Sequence, residues 1–189
     1  MKATDMLMEE HRVIERVLTS LEIAAARLQA DQPVRTGFFD DAADFIKGFA
    51  DGCHHLKEEQ VLFRALVDHG VSQEGGPVGV MLAEHQEGRD LTAAMRLATR
   101  QLQAGDPTAR RDLATAARRY AALLRAHIAK EDEVLFPLAD RVIPPAEQDR
   151  VFERFEQVEH EETGAGVHER YLALADALQR EIGGHVRAA

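Results

Sequence analysis

The sequence predicts an all-α protein, an up-down-up-down four-helix bundle followed by a C-terminal helical extension. Three observations carry this: a composition dominated by Ala, Leu, Glu, Arg and Gln, glycine and proline confined to a few regularly spaced breaks, and apolar stripes that advance by three and four residues. Thr4 or Asp5 caps a first helix that runs to about Leu28, and the stretch from Ala30 to Gly37, with Pro33, is the loop after it. A second helix covers about Phe38 to Asp68 and is ended by Gly70 and the SQEGGP stretch. Pro77 then opens a third helix, to about Gln103, at the first turn where proline is best tolerated. Gly105, Asp106 and Pro107 repeat the punctuation, and a fourth helix continues to about Leu138, with Pro137 marking its last turn. Residues 1–140 are thus expected to form the bundle, with 141–189 packed on it as the extension. In that extension, helices over about Ala146–His160 and Val167–Ile182 are separated by the glycines of TGAG, and the tail from Gly183 to Ala189 is expected to be loose.

At 189 residues and 45% hydrophobic the chain has the means to bury one sizeable core. The formal net charge of −10 argues against a nucleic-acid surface, which needs clustered Lys and Arg. No stretch approaches the roughly 20 apolar residues that span a bilayer, and the acidic N-terminus has no apolar signal core, so the expected location is the cytoplasm. The single cysteine, Cys53, has no intramolecular disulfide partner and reads as a small buried apolar side chain.

Chemistry enters on the fourth helix. Leu113, Ala117, Tyr120, Leu124, His127, Glu131, Val134 and Leu138 share one stripe, which places an imidazole and a carboxylate on a buried face. Burying a carboxylate costs several kcal/mol by order of magnitude unless it is paired or bound to a metal, and the i,i+4 spacing lets His127 and Glu131 reach one metal or two adjacent ones. The second helix repeats the phrase: HHLKEEQVLF from His54 aligns without gaps on HIAKEDEVLF from His127, pairing His54 with His127 and Glu58 with Glu131. His55 with Glu59 is the competing frame on that helix, and His127 with Asp132 the weaker analogue on the fourth. His11, in line with Leu7, Ile14, Leu18 and Leu21, and His85, after Val78 and Met81, complete a set of inward histidines on all four helices.

The order H…HxxxE…H…HxxxE, with the flanking HHLKEEQVLF, GPVGVMLAEHQEGR and HIAKEDEVLFPL, resembles the hemerythrin-like HHE cation-binding family over about residues 1 to 140. The resemblance implies two non-heme iron ions with mainly imidazole ligands, bridged by two carboxylates and an oxo or hydroxo group, and it matches His11, His54, Glu58, His85, His127 and Glu131 to ligand positions. In oxygen carriers of that family a second histidine follows the third-helix ligand by one turn, and here that position is Arg89. The missing imidazole is expected from His168 in the GVHERY segment, with His55 or a water as alternatives. His69, His160 and His185 read as surface residues, and Tyr120 as core packing with a possible hydrogen bond near the metals.

Imidazole with carboxylate suits iron, zinc, copper or manganese, and the resemblance favours iron, with zinc or manganese as substitutes. A histidine-rich centre carries less negative charge than a carboxylate-rich one, so the leading expectation is a binding protein for O2, NO or a related small oxidant, in storage, sensing or stress response. An enzyme that decomposes peroxide or reduces NO, and an iron-handling regulatory module, are the alternatives. In each the partner is a small diatomic or peroxide ligand.

Overall fold

The computed structural model describes residues 2–164 and 166–183; the tail beyond Gly183, with His185, lies outside them. The described residues fold into six helices without a strand. α1 is Ala3–Gln29, α2 spans 37–68, α3 is Pro77–Gln103, α4 spans 109–142, α5 spans 145–163 and α6 is Val167–Gly183. No helix among the described residues is long and apolar enough to cross a membrane.

Two details depart from the expectation. The cap of α1 is Lys2, whose backbone N–H donates to Asp5 Oδ2 at 2.8 Å, while the Thr4 hydroxyl donates instead to Asp140 on α4 at 2.9 Å. Pro137 does not end α4, which continues to Val142. It sits in the first turn of the α-helical stretch Phe136–Val142, where its missing N–H costs little, because a π-helical turn at Glu131–Leu135 interrupts the regular ladder just before it. α2 is interrupted in the same way, by π-helical segments at Ile46–His55 and Glu58–Leu62. Such segments bond i→i+5 and hold more residues per turn than an α-helix, so they change which side chains share a face.

Polar pairs show how the long helices lie against one another. Glu22 pairs with Arg125 at 2.8 Å, Gln29 with Arg118 at 2.9 Å and His11 with Asp132 at 2.6 Å, so α1 and α4 run in opposite senses. Asp44–Arg96 at 2.6 Å and Asp51–Arg89 at 2.8 Å set the same relation for α2 and α3. Glu84–His127 at 2.9 Å and Glu87–Arg119 at 3.5 Å set it for α3 and α4.

The core is in two pieces. A larger apolar cluster takes residues 14–28 of α1, 38–50 of α2, 91–98 of α3 and 113–128 of α4, together with Tyr171, Ala175, Leu178 and Ile182 of α6. A smaller one takes Ala3, Leu7, Val61–Leu66, Val78, Met81 and Leu135–Ile143, together with Val151, Phe155 and Val158 of α5. α5 and α6 therefore complete one cluster each. On α1, α2 and α3 the break between the two clusters falls at the predicted histidines, and on α4 it follows His127 and holds Glu131, so the candidate site is a polar layer between two apolar ones.

Candidate metal centre

His11 of α1, His54, His55 and Glu58 of α2, His85 of α3, and His127 and Glu131 of α4 meet in this layer, none more than 3% exposed. Their donor atoms form two groups, each compact enough for one ion: His55, Glu58, His85 and His127 in the first, His11, His54, Glu58 and Glu131 in the second. Glu58 belongs to both. Its Oε1 lies 3.6 Å from His54 Nε2 and its Oε2 3.4 Å from His85 Nε2, so its two oxygens face opposite groups. Glu131 Oε2 is likewise 3.2 Å from both His11 Nε2 and His127 Nε2. The layer thus holds five imidazoles divided three and two, with two carboxylates between them.

Whether these residues fit a metal is decided by their polar atoms. Nε2 of His11 and of His54, both ring nitrogens of His55 and all four oxygens of Glu58 and Glu131 are buried without a hydrogen-bond partner. Buried polar atoms are paired in the great majority of cases, and leaving one unpaired costs about 1–3 kcal/mol, more when it is charged. Eight in one layer suit the binding of cations and are more than a packed apolar core would tolerate.

On four of the five imidazoles Nδ1 meets a carboxylate: His11 meets Asp132 at 2.6 Å, His54 meets Glu10 at 2.9 Å, His85 meets Glu59 at 2.7 Å and His127 meets Glu84 at 2.9 Å, while His55 Nδ1 lies 3.6 Å from Asp51. Nδ1–H donating outward leaves Nε2 free to ligate, the usual arrangement for a metal-binding imidazole. The pairs close a ring. Each acid is the sequence neighbour of a ligand on its own helix yet serves the histidine of the next one: Glu10 of α1 serves α2, Glu59 of α2 serves α3, Glu84 of α3 serves α4, and Asp132 of α4 serves α1. Cations neutralise the acids from outside, Lys57 on Glu10, Arg89 on Glu59, Lys130 on Glu84 and Arg12 on Asp132.

The repeated phrase performs the same tasks in both copies. Lys57 and Lys130 steady the acids behind His54 and His127, Glu59 and Asp132 hold His85 and His11, and Phe63 and Phe136 stack under those two rings at 5.7 and 5.4 Å. Titration follows the contacts. Burial opposes a charged ring at His11 and His85, but the hydrogen-bonded carboxylates outweigh it and raise both to about 9. Burial with the nearby charge of His85 drives His55 well below 6.5, so that ring is neutral. Glu131 is held low, its burial outweighed by His127 and His11.

Of the expected residues, His168 is not brought into the layer. Its Nδ1 pairs with Glu159 at 3.2 Å, its ring stacks on Phe49 at 5.3 Å, and the side chain is 31% exposed. His55 is in the layer instead. The choice between the His54/Glu58 and His55/Glu59 frames assumed α-helical spacing, whereas the π-helical segment ending at His55 turns both histidines inward. Glu59 and Asp132 support ligands on neighbouring helices. His69 and His160 lie outside both groups. The supporting acids Glu10 and Glu84 carry no motif that marks them in the sequence; their only signal is adjacency, since Glu10 precedes His11 and Glu84 precedes His85. A third group, Glu10, Cys53 and Glu159, already holds a cation in the Lys57 ammonium.

Residues 2–139 match the Hemerythrin HHE cation binding domain. Uncharacterized proteins of Mycobacterium bovis and of two Mycobacterium tuberculosis strains are each 30% identical over 181 residues, covering 96% of this chain and 70% of theirs. No solved structure matches. On the match across most of its length, and on a buried histidine and carboxylate layer fitted to cations, the chain belongs to the hemerythrin HHE cation-binding domain family.

Proposed function

We propose that the protein is a non-heme diiron protein that binds O2, NO or a related small oxidant for storage, sensing or stress response. The observation that carries this reading is the layer of inward polar atoms without partners, divided into two groups that share Glu58. His55, His85 and His127 would hold one ion, His11 and His54 the other, with Glu58 and Glu131 between them. Two irons held by these residues would supply electron exchange with a small oxidant. The chain's own part is to fix the rings through their Nδ1 partners, to keep His55 neutral and to exclude bulk water with the apolar clusters on either side. The antiparallel pairings support an up-down-up-down bundle over 1–140, with 141–189 as an extension packed on it. A cytoplasmic setting is part of the proposal, supported by a single buried cysteine.

Metal analysis with an ultraviolet-visible spectrum, before and after exposure to air, is the test. The expected result is two irons per chain and a spectrum that changes reversibly with the oxidant. Sustained consumption of hydrogen peroxide would replace the binding role with an enzymatic one. Iron released readily to a chelator would favour an iron-handling module, and a purified protein that takes up no iron would overturn the proposal.

A further inference from the structure

The two copies of the repeated phrase differ at one inward position: His55 has Ile128 as its counterpart, and Ile128 is packed in the larger apolar cluster. On the His55 side there is room instead. A cavity of about 270 Å³ reaches from His55 and His85, both buried, outward past Tyr120 and Thr92 to the more exposed Arg89 and Arg96. On the same measure a single water needs roughly 10–15 Å³, so the space admits a molecule of several heavy atoms.

Tyr120 indicates what that molecule offers. Its side chain is 1% exposed and lines the cavity, its ring rests against Gly88 of α3, and its hydroxyl has no hydrogen-bond partner among the described residues. A buried phenol normally finds one. Burial, with the charge of Asp51, keeps this phenol protonated, so it has a hydrogen to donate and needs an acceptor. The lining supplies the complementary charge. In a chain of net charge −10, Lys47, Arg89 and Arg96 line this cavity against the one carboxylate of Asp51. Arg89 and Arg96 are paired with carboxylates, whereas Lys47 has none within ion-pair distance among the described residues. Lys47 is thus the lining cation left to meet an incoming anion.

We propose that this cavity binds a small organic carboxylate, which enters past Lys47 and Arg96, accepts a hydrogen bond from Tyr120 and reaches the His55–His85 side of the metal centre. The proposal rests on the metal reading above, and its test separates the two.

The full chain is loaded with zinc, its metal content is measured, and formate, acetate and butyrate are titrated into it by calorimetry. Acetate and butyrate are expected to bind. Tyr120→Phe, which removes one oxygen and keeps the ring, should weaken acetate about tenfold with metal content and circular dichroism unchanged. Lys47→Gln should weaken it about two- to threefold and flatten its salt dependence. Equal acetate affinity in wild type and Tyr120→Phe would overturn the proposal, as would a site that takes formate but excludes acetate and butyrate. Metal-loaded protein that binds none of the three would sink the carboxylate site alone, whereas protein that takes up no metal would sink the metal reading as well.

Discussion

His55 is the residue on which the centre turns, because it makes the division of imidazoles three and two and has no equivalent in the second copy of the phrase. If it is a ligand, His55→Ala should release one ion and keep the other, whereas His168→Ala, whose ring lies against Phe49 and Glu159, should leave metal content unchanged. Metal per chain in the two purified variants checks this, and retention by His55→Ala with loss from His168→Ala would reverse the assignment. The acids behind the rings make a second prediction. Glu84 is joined to His127 Nδ1 and to Lys130, so Glu84→Gln keeps the shape but removes the charge that orients the imidazole. Metal affinity should fall by about 10–100-fold, as is usual for such partners, measured by competition with a chromogenic chelator. An affinity within twofold of wild type would show that Lys130 and packing alone place the ring. Six of the seven inward residues were legible in the sequence, because a histidine or carboxylate on an apolar stripe is costly to bury unless a partner or a metal compensates it. Of the supporting acids, Glu59 and Asp132 stood out only as rival ligands and Glu10 and Glu84 not at all, because an Asp or Glu at a helix surface is ordinary until the neighbouring helix is known.

The helices were legible to within a few residues, and Pro77 and Gln103 bound α3 as expected. The π-helical segments of α2 and α4 were not, since they leave no composition signal and alter only which residues share a face. Equally hidden was the seat of α6. Gly48 of α2 lies under Tyr171, so close that an added Cβ would stand 1.8 Å from its hydroxyl oxygen. Alanine inside a helix ordinarily stabilises by about 1 kcal/mol relative to glycine, but here the ring must move first. Gly48→Ala is therefore expected to destabilise by about 1–3 kcal/mol in urea unfolding, and a gain in stability would show that Tyr171 yields freely. The α5–α6 connection adds a dependence on pH. The His168 hydrogen bond, against burial and with Lys57 beyond, lowers Glu159 to about 2, and Glu159 in turn raises His168. Glu10, Glu156, His160 and Glu169 are the other ionisable groups around the pair. The Glu159 part is present above its ordinary 4.5 and is lost as pH falls toward 2; the His168 part is present below its ordinary 6.5 and is lost as pH rises through its raised value. The stability difference between wild type and His168→Ala should thus peak between 4.5 and 6.5, at about 0.5–1 kcal/mol for so exposed a pair, and a difference flat across pH would remove the ion pair from the account.

Across the whole molecule, a polar layer divides the apolar interior into two unequal parts, and neither part reaches the other except through it. With metal bound, that layer joins all four long helices at one level. Stripped of metal, it leaves eight buried nitrogens and oxygens without partners, and the helix ends beyond it are secured by the smaller cluster with α5 and by polar pairs such as Lys2 and Thr4 with Asp140. The larger cluster, with α6 laid across it, buries more apolar side chains than the smaller and so has the stronger drive to stay closed. Loss of metal should therefore loosen the molecule from one end. A tightly held ion at a thousandfold excess over its Kd contributes about 4 kcal/mol, which for a chain of this size corresponds to a fall in Tm of roughly 10 °C on removal. In hydrogen exchange of the chelator-treated protein, amides at 61–66 and 136–142 should lose protection well before those at 14–28 and 113–124. The measurement compares metal-loaded and stripped protein segment by segment, with Tm recorded in parallel. Uniform loss would mean that the two clusters form one cooperative unit, and an unchanged Tm would mean that the layer contributes nothing to stability through its metals.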